Sequence, residues 1–267
     1  MTPKYLFNHL NELEEFRDDE KTAIVTDVDG TISEIAPTPD EAMVNPVMRK
    51  TLVKLKNKFK LVAVISGRSV LNARNMVGVE GLLYVGNHGL EYLENGKIIM
   101  VPGAAESLNQ IKELGMELGK GELSKISGLM FEDKGLCLSI HYRGCENPEY
   151  VRQSILETIQ HSPQSKNLKI SEGRKIVECK PPLGYDKGVI LENIVEQQDL
   201  GRVIYLGDDI TDLDAFKTLK DLENEGKIWG ISVLVSSSEI PDYVKESSSF
   251  YVNDVNEVLK FFEWLID

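Results

Sequence analysis

The sequence predicts an α/β fold, a parallel sheet wrapped by helices with an α+β segment inserted into it. Three observations carry this expectation. Short apolar runs alternate with amphipathic stretches of helical period. Four of those runs end in polar, glycine-containing strings: Asp27-Val28-Asp29-Gly30-Thr31, Ser66-Gly67-Arg68, Gly86-Asn87-His88 and Gly207-Asp208-Asp209. Between Pro102 and Pro181 the pattern changes to short, locally paired strands separated by helices.

The stretch up to Phe16 reads as charged and helical, without the apolar core and cleavage site of a signal peptide. Thr22 to Val28 reads as a buried strand. Asn45 to Phe59 follows as an amphipathic helix with Val47, Leu52 and Leu55 on its apolar side. Leu61 to Ile65 and Leu82 to Val85 are further strands, and Asn95-Gly96 marks a hairpin turn. Next comes a helix near Ala104 to Leu118, then strand-like runs at Gly128 to Asp133 and Leu136 to Arg143. A helix near Pro148 to Gln160 and short strands around Leu168 to Ser171 and Arg174 to Cys179 complete an α-β-β-α-β-β segment. The parallel pattern resumes with a helix from Asp186, a strand at Arg202 to Leu206 and two more strand-helix units. The expected organisation is a core of residues 1–103 and 181–267 interrupted by a cap at 104–180.

Against 43 Asp and Glu the chain sets 30 Lys and Arg, a net charge of -13. Such a chain repels nucleic acid and anionic membranes, so neither is an expected partner. Three cysteines without a CxxC point to buried thiols in a reducing cytoplasm rather than to disulfides or zinc. No apolar run approaches membrane-spanning length, and no sustained heptad argues against a monomer.

In an open parallel sheet, ligands bind beyond the carboxyl ends of the strands. Asp27, Asp29, Asp208 and Asp209 would gather there, and such a cluster of hard oxygen donors suits Mg²⁺, which relieves the mutual repulsion. Residues i and i+2 of a strand face one side. One carboxylate of the Asp27/Asp29 pair can therefore attack phosphorus while the other protonates the leaving oxygen and later activates water. Thr31 and Ser66 can hold phosphate oxygens, and Lys187 can balance their charge. A lysine in a first helical turn opposes the helix dipole, which favours a functional reading of Lys187. Asp209 and Asp212 are expected only to support the metal site.

The order DxDGT, a strand-ending serine, a later lysine and GDDxTD resembles the haloacid dehalogenase superfamily of phosphotransferases. SGR at 66–68, GNHGLEY at 86–92, HYR at 141–143 and GDDITDLDAF at 207–216 together resemble its trehalose-6-phosphate phosphatase family. The resemblance implies a Rossmann-like core with an α/β cap inserted between the serine and lysine motifs, and a Mg²⁺-dependent phosphatase. It matches Asp27 to the nucleophile and Asp29 to the acid/base, whose backbone carbonyl also binds the metal. Asp208 matches the metal carboxylate, and Ser66, with its neighbour Gly67, and Lys187 match the phosphate-holding residues. Arg68, Asn87 and His88 are expected near the sugar.

Strand parity sorts the cap. Leu136, Leu138, Ile140 and Tyr142 share an apolar face, leaving Ser139, His141 and Arg143 opposite. Glu132, Lys134, Arg143, Arg174 and Glu178 can grip sugar hydroxyls through charge-assisted hydrogen bonds, and the resemblance places the glucose remote from the phosphate at matching positions. His141 is expected to pack between domains or face solvent. The chain departs from the family at Lys180-Pro181, where Arg-Pro is common, and Lys lacks the bidentate fork of Arg. A phosphatase of sucrose phosphate or glucosylglycerol phosphate, or a catalytically silent sugar-phosphate sensor, stays open at this point.

Overall fold

The computed structural model describes residues 2–18, 20–238 and 240–267. The chain divides into two units, Met1–Ile98 with Tyr185–Asp267, and Ile99–Gly184. Six strands precede the inserted unit or enter it: β1 (Lys4–Tyr5), β2 (Thr22–Thr26), β3 (Leu61–Ile65), β4 (Leu83–Gly86), β5 (Glu91–Glu94) and β6 (Lys97–Met100). Within it lie β7 (Met130–Asp133), β8 (Leu138–His141), β9 (Lys169–Gly173) and β10 (Ile176–Lys180). After it come β11 (Arg202–Gly207), β12 (Trp229–Val235) and β13 (Phe250–Val252).

The large sheet has the order β1-β13-β12-β11-β2-β3-β4-β5-β6 and is parallel from β1 to β4. Alternate residues of its central strands feed two separate cores. Ile24, Val62, Val64, Ile204 and Leu206 pack with Leu52, Leu55, Phe261 and Phe262 of helices Pro46–Lys58 and Val255–Ile266. Val25, Ala63, Ile65, Val203 and Tyr205 pack with Leu191, Phe216 and Leu219 of helices Lys187–Gln198 and Asp212–Asn224. Burial on both faces explains why these strands read as unbroken apolar runs. The architecture is the α/β class that the sequence predicts.

Helix Pro46–Lys58 starts where expected, because the Asn45 side chain accepts from the Met48 N–H and Pro46 takes the first position. Its buried stripe is Met48, Thr51, Leu52 and Leu55, however, and Val47 is 52% exposed. Val47 sits about 100° around the helix from Met48, off the i, i+4, i+7 line that Met48 begins. The N-terminal stretch also differs from the helix expected. Lys4–Tyr5 pairs with Phe250–Tyr251 as an edge strand, and 3-10 turns then bury Leu6 and Leu13, followed by Phe16 in the short helix Glu15–Asp18. Tertiary pairing overrides helix propensity there.

The inserted unit is a four-stranded antiparallel sheet, β7-β8-β10-β9. Helices Leu108–Lys120 and Pro148–His161 cover one face, where Ile111, Leu114, Ile155 and Ile159 meet Leu138, Ile140, Val177 and Cys179. Two local hairpins are joined by β8 against β10, a pairing that spans the second helix. Cys137, Cys145 and Cys179 are buried and free. Among the described residues no helix is long and apolar enough to cross a membrane.

Candidate active site

β2 lies between β11 and β3. The Asp27 N–H still donates to the Leu206 carbonyl at 2.9 Å, so the ladder delivers Asp27 and Asp208 beside one another. Gly30 then turns the chain at φ +83°, and its N–H donates to Ser33 O at 2.7 Å. A Cβ at Gly30 would overlap the Asp208 carboxylate, so only glycine lets the backbone lie against that side chain. The Thr31 hydroxyl donates to Asp208 Oδ1 at 3.4 Å.

Lys187 opens its helix behind the N-cap Asp186, whose carboxylate accepts from the Gly188 and Val189 N–H groups. Only 1% exposed, it places Nζ 2.7 Å from Asp212 Oδ1 and 3.2 Å from Asp27 Oδ2. Asp212 Oδ1 also accepts from the Tyr205 hydroxyl at 2.8 Å, and its Oδ2 accepts from the Asp208 and Asp209 N–H groups, each at 3.0 Å. One buried carboxylate thus fixes the lysine, a tyrosine and the loop that carries Asp208. Carboxylate oxygens of Asp27, Asp208 and Asp212 lie within 4.8 Å of one another. Burial raises the Asp27 carboxyl to about 7; Lys187 opposes the rise, while Asp212 and Asp29 add to it. Burial works against the Lys187 ammonium, but Asp212 and Asp27 outweigh it and hold its pKa above the usual lysine range.

Asp29 is held differently. Arg68 Nε donates to its Oδ2 at 2.7 Å and Arg68 Nη2 to its Oδ1 at 2.8 Å, a bidentate pair. Arg68 also reaches Asn72 Oδ1 at 2.8 Å and the Pro39 carbonyl at 3.1 Å. The loops after β3 and β4 clasp each other, with Asn87 N–H donating to Arg68 O at 2.7 Å and His88 N–H to Ser66 O at 3.0 Å. A Cβ on Gly67 would lie 2.7 Å from the His88 ring. Glu91 ties this clasp down, since its Oε1 accepts from Val70 N–H at 2.7 Å and Asn87 Nδ2 at 2.9 Å.

In the inserted unit, the face opposite the helices carries a second polar group. Lys134 Nζ lies 3.2 Å from Glu178 Oε1 and 3.8 Å from Glu132 Oε2. Burial disfavours the Lys134 ammonium, yet Glu178 and, less strongly, Glu132 leave its pKa raised. The Ser139 hydroxyl donates to Glu178 Oε1 at 2.9 Å, and His141 Nε2 lies 2.8 Å from Glu132 Oε2.

The sequence profile described as trehalose-phosphatase matches residues 25–256, spanning the ends of β2, β3, β4 and β11. The chain belongs to the trehalose-phosphatase family. Probable trehalose-phosphate phosphatase G of Arabidopsis thaliana is 32% identical over 280 residues, covering 92% of this chain and 69% of that protein. Probable trehalose-phosphate phosphatase H of the same plant is 30% identical over 261 residues, covering 90% and 70%. The C-terminal domain of the C. albicans trehalose-6-phosphate phosphatase superposes with a TM-score of 0.79 at 19% identity, over 100% of this chain and 98% of that one. A trehalose-6-phosphate phosphatase related protein gives 0.75 at 22% identity, over 91% and 96%. At such identities the two structures speak for the fold alone.

For this member of the trehalose-phosphatase family, the structure brings Asp27, Thr31, Lys187, Asp208 and Asp212 together and sets Ser66, Gly67, Arg68, Asn87 and His88 in the adjoining clasp. The Asp29 carboxylate is on Arg68, outside the close group of carboxylate oxygens that could hold a metal among the described residues. Asp209 accepts from Ile210 N–H at 2.7 Å. Arg143 Nη2 donates to the Arg174 carbonyl at 3.1 Å, so these two meet through backbone. His141 binds Glu132 rather than simply packing or facing solvent. Sequence reasoning missed Glu91 and Tyr205, although Glu91 lies inside the string GNHGLEY and Tyr205 inside the strand before GDD.

Proposed function

We propose that the protein hydrolyses trehalose 6-phosphate to trehalose and inorganic phosphate, with Asp27 as nucleophile and Asp29 as acid/base. The observation that carries the reading is Asp27 at the end of the central strand, 3.2 Å from a buried lysine and grouped with Asp208 and Asp212, in a chain of the trehalose-phosphatase family. An Asp27 oxygen attacks phosphorus, and the bond to the sugar oxygen breaks as Asp29 delivers its proton there. Asp29 then takes a proton from the water that attacks the aspartyl-phosphate, which returns Asp27 and releases phosphate. Lys187, Ser66 with Gly67, and Thr31 supply positive charge and donors to the phosphate oxygens. The clasp held by Glu91 keeps the Ser66 loop and Arg68 in place.

Mg²⁺ fits the donor set. Three carboxylates converge, all are hard oxygen ligands, and the backbone at Gly30 is shaped around the Asp208 carboxylate. Asp27, Asp208 and the Asp29 backbone carbonyl would hold it, supported by Asp209 and Asp212. Bound there, the ion would neutralise negative charge on the phosphate oxygens. Glu132, Lys134, Glu178, Arg143 and Arg174 are the residues of the inserted unit that we assign to the sugar.

Phosphate release from trehalose, sucrose, glucose and mannose phosphates, with Mg²⁺ and with chelator, tests the assignment. Preference for trehalose 6-phosphate that vanishes with chelator is expected, whereas equal turnover across the panel overturns the substrate assignment. Gly30→Ala is expected to push the Asp208 carboxylate aside and strain the turn by at least about 1 kcal/mol. Its kcat should fall roughly tenfold or more and its half-saturating Mg²⁺ concentration should rise. Unchanged Mg²⁺ dependence in this variant would remove Asp208 from the metal site.

A further inference from the structure

The two carboxylates assigned to the sugar do not lie on adjacent strands. Glu132 on β7 and Glu178 on β10 are each paired in register with the same residue, Ser139 on β8. Neighbouring strands are about 4.8 Å apart, so the backbones bearing the two glutamates stand roughly 10 Å apart across β8. Register fixes that separation, but it leaves three rotatable bonds in each glutamate. The side chains of β8 remove that freedom. Ser139 holds Glu178 by Oε1 at 2.9 Å, and His141, two residues on and on the same face, holds Glu132 by Oε2 at 2.8 Å. Ser139 is fully buried and the Glu178 side chain is 7% exposed, so this hydrogen bond is shielded from exchange with bulk water. Lys134 lies between the carboxylates and supplies their charge balance. Anchoring one oxygen of a carboxylate fixes the direction in which its second oxygen accepts.

We propose that Ser139 and His141 are positioning residues that set the spacing and orientation of Glu178 and Glu132, and thereby select a disaccharide phosphate over smaller phosphate esters. The inference rests on the reading that this face of the inserted unit holds the sugar remote from the phosphate. A carboxylate fixed in advance binds vicinal hydroxyls without losing rotamer freedom at that moment, and preorganisation of this kind appears in substrate affinity. It concerns the sugar rather than the reacting phosphate, so it acts on KM and on substrate preference more than on kcat.

The test compares trehalose 6-phosphate with p-nitrophenyl phosphate, which has no second sugar, in Ser139→Ala, His141→Ala, His141→Gln, Glu132→Gln and Glu178→Gln. Ser139→Ala and His141→Ala should each raise KM for trehalose 6-phosphate about tenfold, with a smaller change in kcat. The ratio of kcat/KM between the two substrates should fall by a similar factor. His141→Gln, whose amide can still donate to Glu132, should recover most of the loss. Equal losses on both substrates would show that Ser139 and His141 serve only folding and would overturn the proposal. Glu132→Gln and Glu178→Gln separate its failure from that of the underlying reading. If they leave KM for trehalose 6-phosphate unchanged, this face does not hold the sugar and both fail. If they raise KM while Ser139→Ala and His141→Ala do not, the sugar site stands and the positioning role is wrong.

Discussion

Asp27→Asn is expected to abolish phosphate release and, in chelator at pH 8, to make the protein more stable. The first effect follows from removing the proposed nucleophile of a group that acts as a unit, at a loss of roughly 10⁴-fold or more in kcat. The second follows from the environment of Asp27. Burial, then Asp212 and Asp29, raise its folded pKa above the ordinary carboxylate value, and Lys187 only partly offsets them. A carboxyl whose folded pKa is raised contributes stability that is fully present below its unfolded pKa and is lost as pH rises through the folded value. Near pH 8 the metal-free protein therefore carries an ionised carboxylate at a cost, and Asn, which resembles the protonated acid, does not. Thermal melts in chelator should place the variant a few degrees above the parent at pH 8, about 2–4 °C per kcal/mol for a chain of this size. The gap should narrow as pH falls through about 7 and close only below the ordinary carboxylate value of 3.8. Added Mg²⁺ should stabilise the parent more than the variant. Identical chelated melts at pH 8 would mean that Asp27 is not under this electrostatic cost.

Asp212→Ala is expected to be among the most damaging single changes in the core. Asp212 is fully buried and accepts from Lys187, Tyr205 and two backbone N–H groups. Truncation takes the nearer carboxylate from a buried ammonium and strips acceptors from three further donors. Breaking a buried pair in this way costs about 3–5 kcal/mol. The midpoint of thermal unfolding should fall by roughly 10 °C, and kcat should fall as well, because the loop carrying Asp208 loses its anchor. Asp212→Asn keeps one acceptor oxygen and should lie between the two. A loss under about 1 kcal/mol in urea titrations of Asp212→Ala would show that the network is dispensable.

The sheet was legible because parallel strands buried on both faces leave runs such as Leu61 to Ile65, each closed by glycine and polar residues. The strand ends were legible for the same reason, and with them Asp27, Ser66, Asn87 and Asp208. What could not be read is contact between distant segments. Nothing near Arg68 in sequence announces that its guanidinium meets Asp29. Period-two parity placed Ser139 and His141 on the polar face of the cap, but the register of β8 with both β7 and β10 decides which glutamate each one meets. Glu91 is a glutamate in an apolar neighbourhood, and its purpose depends on Val70 and Asn87 arriving from other loops. The N-terminal residues carry helix-forming composition, and pairing with β13 overrides it.

β2 pairs on one side with β3, made soon after it, and on the other with β11, which lies beyond the entire inserted unit. Asp27 and Asp208 therefore cannot meet on a nascent chain until synthesis has passed the insertion. During that interval one edge of β2, an apolar strand with open backbone donors and acceptors, has no native partner. The inserted segment is contiguous and has its own hydrophobic cluster, so it can collapse while the core waits. Topology thus makes the carboxylates proposed for catalysis among the last groups to assemble and leaves the emerging protein open to misassociation before they do.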